Sequence, residues 1–246
     1  MLLTIITVTY NAEQWIERTL SSILAQSEQD YECLVIDGAS TDHTMAVVQR
    51  MQPHFHGRLS FVSEPDEGIY DAMNKGIRIA RGQFVWFLNA GDELTKNALS
   101  LVFPVMQTST DLIYGKTLTT DAGGQITGQY HKTPPQHLRL QSLSNGLVVC
   151  HQAMAVRRAV APYYDTSYRI AADYDWVIRI LTNTNKTTYI PDYLCRFLRG
   201  GMSQQNKHNA WKERFRIMRK HFGLLPTLYY HIPIAFRYLF LKHSQQ

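Results

Sequence analysis

Cysteine is scarce in this chain of 246 residues. Its three cysteines, Cys33, Cys150 and Cys195, are odd in number and lie far apart. This excludes a disulfide-stapled scaffold, and it also excludes a CxxC metal or redox pair. We therefore expect a chain that folds without cross-links in the reducing cytoplasm.

Long apolar runs are also missing. The most apolar stretch, near the C-terminus, is interrupted by His231, Pro233 and Arg237, so no segment predicts a membrane span. Residues 1–9 carry neither a basic leader nor a small-residue cleavage site, so we do not expect export. Hydrophobic residues nevertheless make up 45% of the chain, which excludes a disordered or fibrous protein.

Positive charge is concentrated at one end. Residues 207–246 hold eight Lys and Arg against the single acid Glu213, a net charge of +7, whereas residues 1–206 have a net charge of −2. A basic tail indicates an anionic partner. Because the sequence offers no recognisable nucleic-acid-binding motif, we expect lipid headgroups and no nucleic acid.

Two phosphate-binding motifs are absent, since neither GxGxxG nor GxxxxGK[ST] follows a predicted strand. A dinucleotide fold and a P-loop NTPase are therefore not supported. What is present is an alternation of strand and helix patterns, which predicts an α/β fold with a Rossmann-like, mainly parallel central sheet flanked by helices. Strands are predicted at 3–9, 33–36, 59–63, 84–88 and 112–115, a hairpin or loop at 117–130, and helices beginning near Ile16, Asp42, Ile69 and Arg169.

Small polar or acidic residues follow each of the first four strands. These are Thr9, Tyr10 and Asn11, then Asp37, then 64–68, then 89–92. In open α/β sheets ligands bind at the carboxyl ends of the strands. Four such ends in register predict a cleft for a polar ligand together with a cation.

The order of these motifs resembles family 2 glycosyltransferases. The resemblance rests on residues 4–11, 35–42, 64–76 and 87–92, and a weaker motif at 171–176 extends it to about residue 203. It is closest to the bacterial branch that builds capsule, exopolysaccharide and O-antigen. It implies a GT-A fold and inverting sugar transfer from a nucleotide-sugar, a UDP-sugar. The GT-A domain would comprise a donor half (1–100) and an acceptor half (101–205), before a helical tail (206–246).

The resemblance implies donor contacts at the strand ends. Thr9, Tyr10 and Asn11 would form hydrogen bonds to the nucleobase of the donor and stack on it. Asp37 would accept hydrogen bonds from a uracil imide or a ribose hydroxyl. The alternative for Asp37 is that it caps its own turn.

Three further residues are implied near the donor. Asp71 and Lys75 share a helix face and would lie by the sugar or diphosphate, unless they form a solvated surface pair. Arg199 begins a loop through Ser203 that would close over the diphosphate, unless it is a plain turn.

A metal and a base complete the expected site. Asn89 to Asp92 replace the family's Asp-x-Asp, so Asp92 is the expected ligand of Mn²⁺ or Mg²⁺, with Asn89 secondary. The expected base is Asp173, because it borders the apolar stripe of its helix. Asp175 would point further out and pair with Arg179 on the surface.

The tail combines aromatic and basic residues after position 207. This composition suits the inner face of the plasma membrane, where a polyprenyl-diphosphate-linked saccharide acceptor would lie. Alternatively, the aromatics pack on the catalytic domain or on the second subunit of a homodimer. Two other functions stay open: a sugar-nucleotide nucleotidyltransferase, and a non-enzymatic scaffold that binds nucleotide or membrane.

Overall fold

The computed structural model describes residues 1–200 and 206–231. Within these residues the strands form one sheet in the order β3-β2-β1-β4-β8-β6-β9-β5, and β7 pairs with β6. The strands are β1 (Leu3–Thr9), β2 (Tyr31–Asp37), β3 (Leu59–Ser63), β4 (Phe84–Phe87), β5 (Glu93–Leu94), β6 (Leu112–Thr120), β7 (Ile126–Gln129), β8 (Met154–Arg157) and β9 (Thr187–Leu198).

The first four strands are parallel, as the alternating pattern predicts. Strand β1 lies between β2 and β4, and every one of its seven residues is buried. Three helices join these strands: α1 (Ile16–Leu24), α2 (Thr44–Met51) and α3 (Ile69–Ile79). The carboxyl ends of β1, β2 and β4 therefore lie along one edge of the sheet.

The second half of the sheet is mixed. Strand β8 runs antiparallel to both β4 and β6, whereas β6 and β9 are parallel. The predicted hairpin at 117–130 is present, since β6 pairs antiparallel with β7. Strand β6 is longer than its apolar core suggests, because pairing with β9 continues from Leu112 to Thr120.

Helices cover both faces of the sheet. One apolar cluster packs α1, α2 and α4 (Ala98–Met106) on one face, and a second packs α3 and α5 (Ala172–Asn183) on the other. Helix α6 (Lys207–Phe222) packs against α5 and buries Ile217 and Met218 completely. The predicted boundary at 205 falls among residues that are not described.

Helix α5 begins at Ala172, three residues later than its apolar periodicity predicts. The amides of Arg169, Ile170 and Ala171 are instead bonded by the carboxylate of Glu213 on α6. After α6, residues 224–231 are also helical. In the described part of the chain, no helix combines the length and the apolar character needed to cross a membrane.

Candidate active site

A cavity of about 430 Å³ opens where β4 ends and α5 begins. Four of the residues expected to act on substrate line it: Asn89, Asp92, Asp173 and Arg199. The first two follow β4 and the last follows β9, so the sheet brings together residues that are more than one hundred positions apart.

Asp92 lies in the wall of this cavity with 4% of its surface exposed. Its Oδ1 accepts a hydrogen bond from the Leu198 amide at 2.9 Å. Burial raises the pKa of Asp92 to about 8, while this hydrogen bond and the charge of Arg18 oppose the shift. A buried carboxyl group of this kind gains from a nearby cation, which favours its ionised form.

Glu93, next to Asp92, is not an equivalent ligand. Its carboxylate forms ion pairs with Arg18 at 3.0 Å and Arg196 at 3.6 Å, and it does not line the cavity. Asp92 and Glu93, adjacent in the sequence, therefore have different surroundings in the structure. Asp92 faces the cavity and Glu93 faces arginines.

Asn89 provides the observation that tests whether a metal fits. Within residues 1–200 and 206–231, its buried Oδ1 has no hydrogen-bond partner. The same part of the chain contains no cluster of three or more His, Cys, Asp or Glu that could hold a metal. One carboxylate and one amide oxygen fit a cation such as Mg²⁺, which keeps several waters and is completed by substrate phosphates.

Asp173 lies in the first turn of α5 and lines the cavity. Its Oδ1 accepts the Tyr174 amide at 2.8 Å. Burial raises the pKa of Asp173 to about 6, opposed by that amide and by the charge of Lys132. A carboxylate with a pKa near 6 is well matched to accept a proton at neutral pH.

The expectation that Asp175 forms a surface pair is wrong. Asp175 does pair with Arg179 at 2.6 Å, but it is fully buried because α6 covers this face of α5. Lys220 and His221 of α6 contact its other oxygen at 3.3 and 2.7 Å. These partners lower the pKa of Asp175 to about 2.

The predicted nucleotide residues lie outside the cavity wall. Asp37 is completely buried, and its carboxylate accepts bonds from the Ser40 amide and from the hydroxyls of Ser40 and Ser63. Asp37 therefore holds its own turn together, which is the alternative left open by the sequence. Its contact with a nucleotide stays a prediction.

Tyr10 and Asn11 differ from Asp37 in exposure. Tyr10 is 63% exposed, and its ring lies beside Gly38, where it could stack on a planar ligand. Asn11 has a left-handed backbone with φ 48°, and its Oδ1 accepts the Thr41 amide. Thr9 is buried, and among the described residues its hydroxyl has no partner.

Asp71 and Lys75 form the pair that their spacing predicts, at 3.7 Å. Lys75 also reaches Glu64 at 3.0 Å and the Pro65 carbonyl at 2.7 Å. Both residues thus order the loop after β3, and neither lines the cavity. Their roles at the donor sugar or diphosphate stay predictions.

Two arginines bring positive charge to the cavity. Arg199 was expected there, whereas Arg169 was not singled out from the sequence. In the described ranges, neither guanidinium forms an ion pair with a carboxylate; Arg169 instead donates to the Glu67 carbonyl. The remainder of the Arg199 loop, including Met202 and Ser203, lies outside the described residues.

Aromatic residues complete the wall. Trp15 and Tyr130 line the cavity, but a single aromatic in a loop gives no sequence signal for this. His151 also lines it, and its Nε2 lies 2.5 Å from the Tyr164 hydroxyl. Burial lowers the pKa of His151 to about 3, so the imidazole is neutral at physiological pH.

Comparison with known sequences identifies the family. Residues 4–162 match the family described as glycosyl transferase family 2. The chain belongs to glycosyl transferase family 2. A PGL/p-HBAD biosynthesis glycosyltransferase of Mycobacterium bovis is 32% identical over 186 residues, which cover 73% of this chain and 69% of that protein. A chondroitin synthase of Escherichia coli is 26% identical over 70% of this chain and 25% of its own length.

Solved structures of glycosyltransferases share the fold, which is GT-A. TarS 1-349 of S. aureus in complex with UDP superposes with a TM-score of 0.68 at 19% identity, over 90% of this chain and 65% of that chain. The mannosyltransferase PcManGT of Pyrobaculum calidifontis, in complex with GDP-Man and Mn²⁺, has a TM-score of 0.62 at 20% identity, over 90% and 63% of the two chains. This chain therefore spans slightly less than two thirds of the length of each of these two solved chains.

The family match does not reach all of the residues that line the cavity. It covers Asn89 and Asp92, but Asp173 and helix α6 lie beyond residue 162. The role of Asp173 consequently depends on its geometry and on the weaker motif at 171–176.

Proposed function

We propose that this protein is an inverting glycosyltransferase that transfers a sugar from a UDP-sugar to a hydroxyl of a saccharide acceptor. The proposal depends on one observation above others: Asp92 and Asp173 line the same cavity. It is supported by family membership and by the nucleotide ligands of TarS and PcManGT.

Asp173 would act as the general base. It takes the proton of the acceptor hydroxyl as that oxygen attacks the anomeric carbon of the donor. The new C–O bond forms while the bond from the anomeric carbon to the phosphate oxygen breaks, and its electron pair leaves on the nucleoside diphosphate. Because this is a single displacement, the configuration at the anomeric carbon inverts.

The leaving diphosphate gains negative charge during this step. Arg169 and Arg199 would stabilise it electrostatically, because both residues line the cavity and neither guanidinium forms an ion pair within the described ranges. A divalent cation, Mn²⁺ or Mg²⁺, would be held by Asp92 and Asn89 and would supply further neutralisation of the phosphates.

The acceptor is proposed to be a lipid-linked saccharide of bacterial surface polysaccharide biosynthesis, met at the inner face of the plasma membrane. Support comes from the described end of the chain. Leu224, Leu225, Leu228 and Tyr229 are exposed together on the helical residues 224–231. Helix α6 beside them carries exposed basic residues, a combination typical of interfacial helices. Tail residues Phe236, Arg237, Tyr238, Phe240 and Lys242 lie outside the described residues.

A donor panel tests the proposal. The purified full chain is incubated with UDP-sugars and GDP-sugars, with Mn²⁺, Mg²⁺ or EDTA, and both nucleoside diphosphate and pyrophosphate are measured. A glycosyltransferase releases the nucleoside diphosphate from these donors. A nucleotidyltransferase instead releases pyrophosphate in a parallel incubation that supplies a nucleoside triphosphate and a sugar 1-phosphate. Release of neither product, with nucleotide still bound, would favour the non-enzymatic scaffold.

A further inference from the structure

The backbone immediately before Asp173 is held by a carboxylate from a distant part of the chain. Glu213 on α6 accepts the Arg169 amide through Oε1 at 2.8 Å. Its Oε2 accepts the amides of Ile170 and Ala171, both at 2.9 Å. One side chain thus bonds three consecutive amides that end two residues before the base.

This carboxylate bonds the amides that lead into α5, at the end where the helix has no cap from its own N-cap side chain. The N-cap residue of α5 is Ala171, whose own side chain makes no cap hydrogen bond. Alanine cannot provide one, and unbonded amides at a helix start are costly when buried. Glu213 is itself only 9% exposed. Its negative charge also lies at the positive end of the α5 dipole, which strengthens the arrangement.

The same segment is fixed from its opposite side. The Tyr70 hydroxyl of α3 donates to the Ile170 carbonyl at 2.7 Å. Segment 169–171 is therefore held between α3 and α6, and both Arg169 before it and Asp173 after it line the cavity.

The face of α6 that carries Glu213 packs against the residues just before Asp173. Arg216 and Lys220, three and seven positions further on, lie over the ring of Tyr168 at 5.3 and 5.6 Å. These residues place α6 on the segment just before the base, and they lie outside the family match.

We infer that Glu213 is a positioning residue for the glycosyl transfer, acting on Asp173 and Arg169 through the backbone of 169–171. The inference rests on the proposed function, in which Asp173 is the base. Losing this support lets the base move from its place, and a displacement of about 1 Å can lower turnover by up to about 10²-fold.

The test compares Glu213→Gln with Lys220→Met in the full chain. Gln keeps the length of the side chain but places an NH₂ group against amide donors. Lys220→Met loosens the same helix contact without touching segment 169–171. We expect Glu213→Gln to lower kcat at least about tenfold with donor KM within about twofold, and Lys220→Met to leave kcat within about twofold. Glu213→Asp, which retains the charge but is one methylene shorter, should fall between wild type and Glu213→Gln.

Amide hydrogen exchange gives a readout that does not depend on activity. We expect the amides of 169–171 to exchange at least about tenfold faster in Glu213→Gln, and those of 180–183 to stay unchanged. Unchanged exchange at 169–171, or equal losses of kcat in Glu213→Gln and Lys220→Met, would overturn the inference. If exchange accelerates but Asp173→Asn retains full turnover, the support by Glu213 stands and the assignment of the base fails.

Discussion

Two aspartates two positions apart on α5 have opposite electrostatic surroundings. Asp173 faces a cavity, and burial raises its pKa to about 6. Asp175 contacts Arg179, Lys220 and His221, and its pKa falls to about 2. A group suited to exchange protons at neutral pH must titrate near that pH, which only Asp173 does of the two.

The first prediction concerns this pair. We expect Asp173→Asn to lower turnover by ~10²–10⁴ with donor affinity nearly unchanged, since a general base is lost and no donor contact is removed. In wild type, kcat should rise with pH through about 6, because the carboxyl must be ionised to accept a proton. Steady-state kinetics from pH 5 to about 8 provides the measurement.

The control is Asp175→Asn, assayed at a temperature where both variants are folded. Its turnover should stay close to that of wild type, and its kcat should still rise with pH through about 6. A severe loss in Asp175→Asn together with a mild effect in Asp173→Asn would contradict the assignment of the base.

A second prediction concerns the metal. We expect Asp92→Ala to abolish the dependence of UDP binding on Mn²⁺, because Asp92 is the carboxylate that reaches the cavity beside Asn89. Calorimetric titration of UDP with and without Mn²⁺ measures this. Glu93→Gln is the matched control, since its carboxylate is engaged by Arg18 and Arg196. Persistent metal dependence in Asp92→Ala would place the ligand elsewhere.

At the scale of elements, a cluster of charged and polar side chains around Asp175 joins α5 to α6. Asp175 is fully buried and meets Arg179 from its own helix and Lys220 and His221 from α6. A buried carboxylate with three hydrogen-bonded partners is stable as an ion, but removing one member leaves the others uncompensated.

The third prediction follows from the pKa of Asp175. The pKa falls from 3.8 to about 2 on folding, so the ionised form stabilises the fold above pH 3.8, and that contribution is lost as pH decreases towards 2. The shift corresponds to ~2–3 kcal/mol of unfolding free energy. We expect Asp175→Asn to be less stable than wild type by about this amount at pH 7, and the difference to shrink below about pH 3.

Urea unfolding followed by circular dichroism at pH 7 and at about pH 2.5 measures this difference. Asp111, which pairs with Arg157 at 3.0 Å, is a suitable comparison site because its pair lies away from α6. A difference between wild type and Asp175→Asn that does not depend on pH would contradict the cluster as its source.

Local pattern predicted most of the parallel half of the sheet. The bounds of β1 and β3 are those of the apolar runs, and α3 begins at Ile69 as predicted. These elements are determined by short-range periodicity and turn chemistry. The start of α5 could not be predicted in this way, because the carboxylate that bonds its preceding amides comes from Glu213, more than forty residues later.

The burial of Asp175 was missed for the same kind of reason. One stripe of α5 is apolar, so the sequence assigns the remaining face to solvent, but α6 covers it with charged partners. At the cavity, Asn89, Asp92, Asp173 and Arg199 come together as the motifs indicate. Arg169, Trp15 and Tyr130 carry no motif, and only the fold brings them there.

At the scale of the whole molecule, exposed basic residues of α6 and exposed apolar side chains of residues 224–231 lie next to each other in the chain. Within the described ranges, Leu225 is 79% exposed and Tyr229 is 70% exposed. Each Lys or Arg near an anionic surface contributes ~1 kcal/mol, and buried apolar side chains add to it. Membrane attachment would keep the cavity within reach of a lipid-linked acceptor.

The last prediction is that the full chain sediments with vesicles containing anionic lipid and that Leu225→Ser with Tyr229→Ser weakens this sedimentation. The double variant should leave donor hydrolysis unchanged, because neither residue lines the cavity. Ile126→Ser is the matched control, since Ile126 is 52% exposed and belongs to strand β7 and not to residues 224–231. Raising the salt concentration should weaken binding of wild type, because surface charges are screened beyond ~8 Å at physiological ionic strength. If the double variant unfolds or changes from dimer to monomer while vesicle binding of wild type is absent, residues 224–231 form a packing surface and the membrane proposal is wrong.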